Sequence, residues 1–276
     1  MASWIKTRLK EQIRSSAPRL SSALFAARAR RYSHGMVRQW GLLELNRKLL
    51  EQFGNTVQSG PFAGLILTRS AQQENLGPFL LGSYEQELHP VIHSCVDRRF
   101  NQILDVGSSF GYYATGLARL MPDIPVIAFD TDWWARSATR EMARENKIKS
   151  LTVKSFCDPA WLRRHLLPRA LVISDCEGFE RELFCSGPVP HLDSAAIIIE
   201  LHESASPGVT KLIEKRFNLT HDASLVRFGE RCLRGIDLDF LNPEERRTAV
   251  YEIRGNEAWM WLTPKNWNAG SSGGRS

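Results

Sequence analysis

From about residue 100 onward, short apolar runs alternate with segments whose apolar residues recur every three or four positions. The runs are apolar at nearly every position, which is typical of strands covered on both faces, and the intervening segments have the periodicity of helices. The predicted strands are 103–106, 126–129, 151–153, 171–174 and 196–201, and the predicted helices are 112–120, 133–146, 159–167, 179–185 and 209–217.

This alternation of strands and helices predicts one fold class. Five strand–helix units in succession form a parallel sheet with helices on both faces, which is a doubly wound α/β arrangement. Residues 250–253 and 258–262, on either side of Gly255-Asn256, are expected to add a closing hairpin. We therefore predict an α/β domain with a mostly parallel, seven-stranded sheet over residues 96–265.

The residues before this domain follow another pattern. Residues 35–58 have helical periodicity, Gly-Pro pairs interrupt the following stretch, and residues 85–96 again favour a helix. We assign residues 1–95 to a basic helical extension and cap, and the Gly/Ser-rich residues 266–276 to a disordered tail. No apolar run reaches the length of about 18 residues that a transmembrane helix needs, so none is predicted.

Positive charge is concentrated at the N terminus. The 276 residues are 43% hydrophobic and 24% charged, as expected of a globular protein, and their net charge is +6. The first 40 residues hold nine basic residues and one acid, so they carry +8 and the remaining 236 residues carry −2. This basic arm is either an organelle transit peptide or, as we favour, an accessory helix that contacts the domain, a partner or an anionic surface.

The cysteine pattern bears on location. The five cysteines are odd in number and include no C-x-x-C pair, which argues against a disulfide framework and against a structural zinc site. A reducing compartment is therefore expected, and an accessory role for the basic arm makes the cytoplasm the expected location.

Glycines and acids mark the ends of the first two strands. Asp105 and Gly107 end the first strand, Gly111 precedes the following helix, and Asp130 ends the second strand. Glycines allow a ligand to approach the backbone closely, and a helix N terminus favours an anionic group. A dinucleotide fingerprint needs a glycine where Ser109 stands, so a nicotinamide dehydrogenase is disfavoured. Because Asp130 can accept hydrogen bonds from ribose hydroxyls, the pattern favours a nucleoside that carries an amino acid, namely S-adenosylmethionine (SAM).

Four sequence segments resemble one known family. In chain order they read ILDVGSSFGYYATGLA, AFDTD, ISDCEGFERELF and IIIELHE, and together they resemble the FkbM-type class I SAM-dependent methyltransferases over roughly residues 80–202. The segment GSYEQEL, upstream of the first strand, is also similar to the family. Two departures occur: Ser108-Ser109 stands where the family usually has Ala-Asn, and Asp130-Thr131 stands where it usually has Glu-Pro.

The resemblance implies a Rossmann-like fold, SAM as cofactor and methyl transfer, commonly to a hydroxyl oxygen. By position it implies that Gly107, Ser109 and Gly111 line the methionine end of the cofactor. It also implies that Asp130 binds the ribose and that Asp158, after the third strand, lies near the adenine amino group.

Polar residues follow the fourth and fifth strands in pairs. Asp175 and Glu177 come after the fourth strand, and Glu200 and His202 end the fifth. Residues two apart on an extended chain face the same side, and ligands bind at the carboxyl ends of a doubly wound sheet. We therefore expect these four side chains to converge beside the transferred methyl group.

Three roles for this cluster remain open. His202 can act as the general base that takes the acceptor proton. Alternatively Asp175, Glu200 and His202 hold Mg²⁺ or a similar cation that polarises the acceptor. In the third, structural role, Glu177 or Glu180 caps the next helix and His202 is a surface residue. For Glu180 a structural role at the helix N terminus is the favoured one.

The sequence leaves more than one function open. The favoured function is O-methylation of a small molecule or sugar. A second is a non-catalytic protein that keeps the fold and binds a partner through its basic arm. Methylation of nucleic acid is less favoured, because no Asn-Pro-Pro-aromatic segment follows the fourth strand and its carboxylates would repel phosphates.

Overall fold

The computed structural model describes residues 42–73, 75–233, 235–252 and 257–267, together with residues 31, 35 and 40. The predicted basic arm therefore lies mostly outside the described residues, as does the predicted tail beyond residue 267. The first two residues assigned to that tail, 266 and 267, belong to a short 3-10 helix, Lys265–Trp267.

A seven-stranded sheet forms the centre of the described chain. Its strand order is β3-β2-β1-β4-β5-β7-β6, and only β7 runs antiparallel to its neighbours. The predicted fold class, a doubly wound and mostly parallel Rossmann-like sheet, is thereby confirmed. The strands are β1 (Gln102–Val106), β2 (Val126–Phe129), β3 (Leu151–Lys154), β4 (Ala170–Ser174), β5 (Ala196–Leu201), β6 (His221–Val226) and β7 (Ala258–Pro264).

The predicted closing hairpin is wrong in one of its strands. β7 pairs with β6, whereas Val250 follows a helix and residues 251 and 252 are not in a strand. Most side chains of β6 are exposed because it is an edge strand, so it lacks the apolar pattern by which strands are recognised. Tyr251, which the sequence analysis assigned to a strand, instead packs its ring against that of Trp40 at a centroid distance of 5.6 Å.

Helices flank the sheet on both faces. Each parallel strand is followed by a helix, as the alternating pattern predicts. The helices within the described residues are α1 (Leu42–Phe53), α2 (Leu76–Leu81), α3 (His89–Val96), α4 (Tyr112–Leu120), α5 (Trp133–Glu145), α6 (Pro159–His165), α7 (Glu180–Cys185), α8 (Val209–Phe217) and α9 (Pro243–Ala249).

Two hydrophobic clusters cover the two faces of the sheet. Successive side chains of a strand point to opposite faces, so Leu171 and Ile173 of β4 join one cluster and Val172 joins the other. This double burial explains why the parallel strands are apolar at consecutive positions. Leu49 of α1 and Leu80 of α2 are fully buried in the first cluster, so the segment before residue 96 shares its core with the sheet.

Two further properties concern the chain as a whole. Across the residues that the structure describes, no helix is both long enough and apolar enough to cross a membrane. The five cysteines are free thiols, of which Cys95 and Cys157 are buried and Cys232 is exposed.

Candidate active site

The glycine turn between β1 and α4 is fixed by contacts with the rest of the protein. Gly107 has φ +94°, and a Cβ there would lie 1.7 Å from the carbonyl oxygen of Asp175. Gly111 has φ +93°, and its Cβ would lie 2.9 Å from the Cα of Thr139 on α5. Both positions require glycine on conformational and steric grounds, whether or not a ligand binds.

Asp130, at the end of β2, holds this turn in place. Its Oδ2 accepts a hydrogen bond from the backbone N–H of Ser109 at 2.9 Å, and its Oδ1 accepts one from Asp132 at 2.8 Å. Burial raises the pKa of Asp130 to about 6, although both of these hydrogen bonds act in the opposite direction. Each carboxylate oxygen has a second lone pair, so Asp130 keeps the acceptor capacity that ribose binding would need.

A small cavity of about 50 Å³ lies between this turn and the end of β4. Asp105 and Asp175 both line it, and each has one buried carboxylate oxygen without a hydrogen bond, Asp105 Oδ2 and Asp175 Oδ1. Burial, followed by the charge of Asp175, raises the pKa of Asp105 to about 7. Ionised carboxylates in such a position are costly unless a cation meets them.

Aromatic rings form the other wall of the cavity. They come from α2, from the segment before α3 and from the start of α4, and their centroids lie 4.0 to 6.5 Å apart. Aromatic faces attract cations, so this wall and the two carboxylates together suit a small cationic group. The rings are those of Phe79, Tyr84, Phe110, Tyr112 and Tyr113.

At the neighbouring strand ends, four acids surround His202. Its Nδ1 lies 2.8 Å from Glu180 Oε1. Its Nε2 lies 3.4 Å from Asp175 Oδ1, 3.5 Å from Glu177 Oε2 and 3.4 Å from Glu200 Oε2. The structure thus brings together the four side chains that the sequence predicts to converge, and it adds Glu180.

Strand pairing and one tight turn produce this cluster. β4 and β5 are parallel neighbours with Ser174 opposite Ile199, so Asp175 and Glu200 follow at the same edge. Glu177 and Gly178 then adopt left-handed φ values of +54° and +94°, which turn the chain into α7. The backbone N–H of Gly178 donates to Glu180 Oε1 at 3.3 Å, so the turn also fixes the carboxylate that contacts the histidine.

Glu180 corrects one expectation from the sequence. We expected a structural residue at the helix N terminus, and its side chain does accept hydrogen bonds from nearby backbone N–H groups. Its side chain is also fully buried, and it is the acid closest to His202. Burial alone would raise the pKa of Glu180, but the hydrogen bond to His202 holds it below its usual value.

The acids also determine the charge on the histidine. Burial alone would lower the pKa of His202, but hydrogen bonds to Glu180 and Glu200 and the charge of Asp175 raise it to about 12. With these side chains alone the ring is protonated at neutral pH, and a protonated imidazole has no lone pair for another proton. A general base needs the neutral ring, so the predicted role of His202 as general base requires loss of this proton and stays a prediction.

Glu177 and Asp175, unlike Glu180, have raised pKa values. Burial, followed by the charge of Asp175, raises the pKa of Glu177 to about 7. Burial and the charge of Glu200 raise the pKa of Asp175 well above its usual value. Glu177 and Asp175 are also the most exposed members, with 45% and 36% of the side chain accessible, against 9% for Glu200 and 7% for His202.

The predicted contact of Asp158 with the adenine stays a prediction. Asp158 caps α6, because its Oδ1 accepts a hydrogen bond from Trp161 N at 2.7 Å, and it is not among the residues lining the cavity. The aromatic wall was missed, although the GSYEQEL and FGYY segments carry four of its five rings, Tyr84, Phe110, Tyr112 and Tyr113.

The fold and the site together define a structural class. A seven-stranded sheet with one antiparallel strand, a glycine turn after β1 and acids at the ends of β4 and β5 have the arrangement of a Rossmann-like methyltransferase fold. A scan with models of protein families found no match. A search of curated proteins likewise found no match.

Several solved structures are similar to the chain at low sequence identity. The O-methyltransferase TomG of Streptomyces achromogenes, solved with SAM, is 16% identical over 67% of this chain and 82% of its own, with a TM-score of 0.44. A precorrin-6Y C5,15-methyltransferase of Geobacter metallireducens is 14% identical over 64% and 87%, with a TM-score of 0.44. An rRNA methylase of Streptococcus thermophilus is 14% identical over 64% and 96%, with a TM-score of 0.43. Similarity at this level carries no argument about ligand or reaction.

Proposed function

We propose that the protein is a SAM-dependent methyltransferase that methylates a hydroxyl oxygen of a small molecule or sugar, as the FkbM-type resemblance implies. One observation carries the proposal. A cavity with two carboxylate oxygens that lack hydrogen bonds, from Asp105 and Asp175, adjoins the cluster around His202 at the carboxyl edge of the sheet.

The residues around the cavity fit the cofactor. SAM carries an α-ammonium group, and Asp105 Oδ2 is a buried acceptor that a cation of this kind would satisfy. A cavity of about 50 Å³ is large enough for an ammonium group but not for a whole cofactor, so we assign it to that end alone. Asp130 would bind the ribose hydroxyls, and Gly107, Ser109 and Gly111 would lie along the methionine end.

The cluster around His202 would act on the acceptor. When bound, SAM supplies a methyl group on a positively charged sulfur. The acceptor oxygen must form a bond to the methyl carbon while the carbon–sulfur bond breaks, its electron pair stays on sulfur, and the hydroxyl proton is lost. Glu177 and Asp175 are the accessible carboxylates, and a pKa of about 7 lets Glu177 take such a proton near neutral pH.

The acidity of this site also favours one class of acceptor. Four carboxylates converge on one imidazole, so this cluster repels phosphates and other anions. A neutral polyol or sugar hydroxyl fits this environment better than nucleic acid does.

A methyl-transfer screen tests the proposal. Full-length protein is incubated with methyl-labelled SAM and a panel of sugars and hydroxylated metabolites, and products are identified by mass as O-methyl ethers. Glu177→Gln should lower the rate of product formation by roughly 10²–10⁴ if Glu177 is the base. Glu214→Gln on α8, which removes an exposed acid, is the matched control and should leave the rate unchanged. SAM binding without transfer to any acceptor would favour the non-catalytic alternative.

A further inference from the structure

Three side chains at the end of β4 and β5 offer metal ligands at close range. Asp175 and Glu200 each present one carboxylate oxygen and His202 one ring nitrogen, and these three atoms lie within 4.8 Å of one another. We propose that Asp175, Glu200 and His202 bind a divalent cation, with Mn²⁺ and Mg²⁺ as the fitting ions. The role given below for that cation in catalysis rests on the proposed function, whereas its binding does not.

The spacing around Nε2 of His202 is compatible with metal ligation. Nε2 lies 3.4 to 3.5 Å from an oxygen of each of three acids, including Glu177. A charge-assisted N–H···O bond would be about 2.7–2.9 Å long, which is shorter than each of these three distances. Neighbouring ligands of an octahedral ion with bonds of about 2.0–2.4 Å are about 2.8–3.4 Å apart, and the 3.4 Å distances from Nε2 to Asp175 and Glu200 lie at the upper end of this range.

A contact with Glu180 orients the histidine for this role. Glu180 Oε1 lies 2.8 Å from Nδ1 and is itself held by the backbone N–H groups of Cys176 and Gly178. A divalent ion would displace the proton on Nε2, which faces the carboxylates, while the Nδ1–H continues to donate to Glu180. This is the carboxylate–histidine–metal arrangement that orients ligands in metalloproteins.

Two buried carboxylate oxygens beside the cluster also favour a cation. Asp175 Oδ1 is buried without a hydrogen bond, and it faces the same cavity as Asp105 Oδ2, which is also buried without one. The four acids outnumber the single imidazole even when that ring is protonated. A divalent ion would supply the compensating charge and satisfy Asp175 Oδ1 directly.

The cation would also narrow the class of acceptor. Three protein ligands leave three positions of an octahedral ion open, which is enough for two adjacent oxygen atoms of one acceptor. A vicinal diol would be fixed in orientation by both oxygens, and the ion would lower the pKa of the hydroxyl that receives the methyl group. A single isolated hydroxyl would bind less well.

Calorimetry with Mn²⁺ tests the binding site. Full-length protein is treated with chelator, dialysed and titrated with MnCl₂, and bound Mn²⁺ is counted by electron paramagnetic resonance. One ion should bind per chain. Asp175→Asn, Glu200→Gln and His202→Gln should each lower the affinity at least 10-fold, and Glu180→Gln should lower it 10- to 100-fold. Glu214→Gln removes the same charge at a distance and should change nothing.

The outcomes separate this inference from the proposed function. Thermal unfolding confirms that each variant is folded, and the three ligand variants are judged together so that one unstable protein does not decide the result. Absence of Mn²⁺ and Mg²⁺ binding at millimolar concentration overturns the cation site, as does binding that none of the four variants weakens. SAM titrated in the presence of chelator gives the separate result: SAM binding without metal binding leaves the proposed function standing, and metal binding without SAM binding leaves only the cation site.

Discussion

Replacing the buried acid Asp105 with asparagine should stabilise the protein while weakening its cofactor binding. The folded protein raises the pKa of Asp105 from 3.8 to about 7, so the folded state holds a proton that the unfolded state releases. Stability from this group is therefore present below pH 3.8 and is lost as the pH rises toward 7. The full loss is about 4 kcal/mol, because each pKa unit is worth about 1.4 kcal/mol.

The difference in unfolding free energy between wild type and Asp105→Asn isolates the contribution of this one carboxyl group from those of other titrating groups. Between pH 5 and pH 8, the free energy of unfolding of wild type should fall by about 2.5 kcal/mol more than that of the variant. Urea unfolding followed by circular dichroism at several pH values measures both. Asp193→Asn, at an exposed acid, should follow the wild-type curve.

Cofactor affinity should change in the opposite direction. A charge-assisted hydrogen bond between Asp105 and the ammonium group is worth about 1.5–3 kcal/mol, so Asp105→Asn should bind SAM roughly 10- to 150-fold more weakly. The ligand-induced rise in thermal unfolding temperature should shrink accordingly. The reasoning about this cavity would be refuted if the unfolding free energy of Asp105→Asn depended on pH as strongly as that of wild type. Equal SAM affinity of the two proteins would refute it as well.

Three further substitutions test other parts of the account. Gly107→Ala should unfold the protein or lower its unfolding temperature sharply, because the added Cβ would lie 1.7 Å from the Asp175 carbonyl oxygen; a fully stable variant would mean that the turn can move. Asp158→Ala should cost about 1 kcal/mol in urea unfolding through loss of the α6 cap, and a large fall in SAM affinity would instead support the predicted contact with adenine. Arg231 forms ion pairs with Glu87 and Glu252, and only 4% of its side chain is exposed. Arg231→Met should therefore lower the free energy of unfolding by about 3–5 kcal/mol. A loss below about 1 kcal/mol would contradict a structural role for these ion pairs.

Burial explains which strands the sequence could predict. β4 sends Leu171 and Ile173 to one core cluster and Val172 to the other, so its apolar run is continuous and recognisable. β6 is paired on one side only and is mostly exposed, so its sequence HDASLV resembles a loop. Residues 250–252, although apolar and aromatic in part, follow α9 instead of forming a strand.

The arrangement of the candidate site was likewise predictable only in part. Asp175 and Glu200 could be placed together because both follow parallel strands of a sheet whose order was expected. The contact between Glu180 and His202 could not, because it depends on the left-handed turn at Glu177 and Gly178, which a non-glycine residue rarely begins. The protonation of His202 could not be predicted from the sequence either. It depends on how close several acids lie to the ring in the folded protein.

The aromatic wall of the cavity was harder to predict still. Tyr84 belongs to the segment that the sequence analysis assigned to an extension, yet its ring lines the cavity beside Tyr112 and Tyr113. Tyr113 also donates a hydrogen bond to Glu85, and the backbone N–H of Glu85 donates to Glu252. These contacts join residues far apart in the chain, and no local pattern indicates them.

Calorimetric titration of SAM into the full-length wild-type protein at pH 7.5 tests the central claim most directly. The account predicts saturable binding of one molecule per chain, weakened by Asp105→Asn and by Asp130→Ala and unchanged in Asp193→Asn. Binding that does not saturate at millimolar SAM, or that is the same in all three variants, would contradict the assignment of the cavity and the glycine turn to this cofactor.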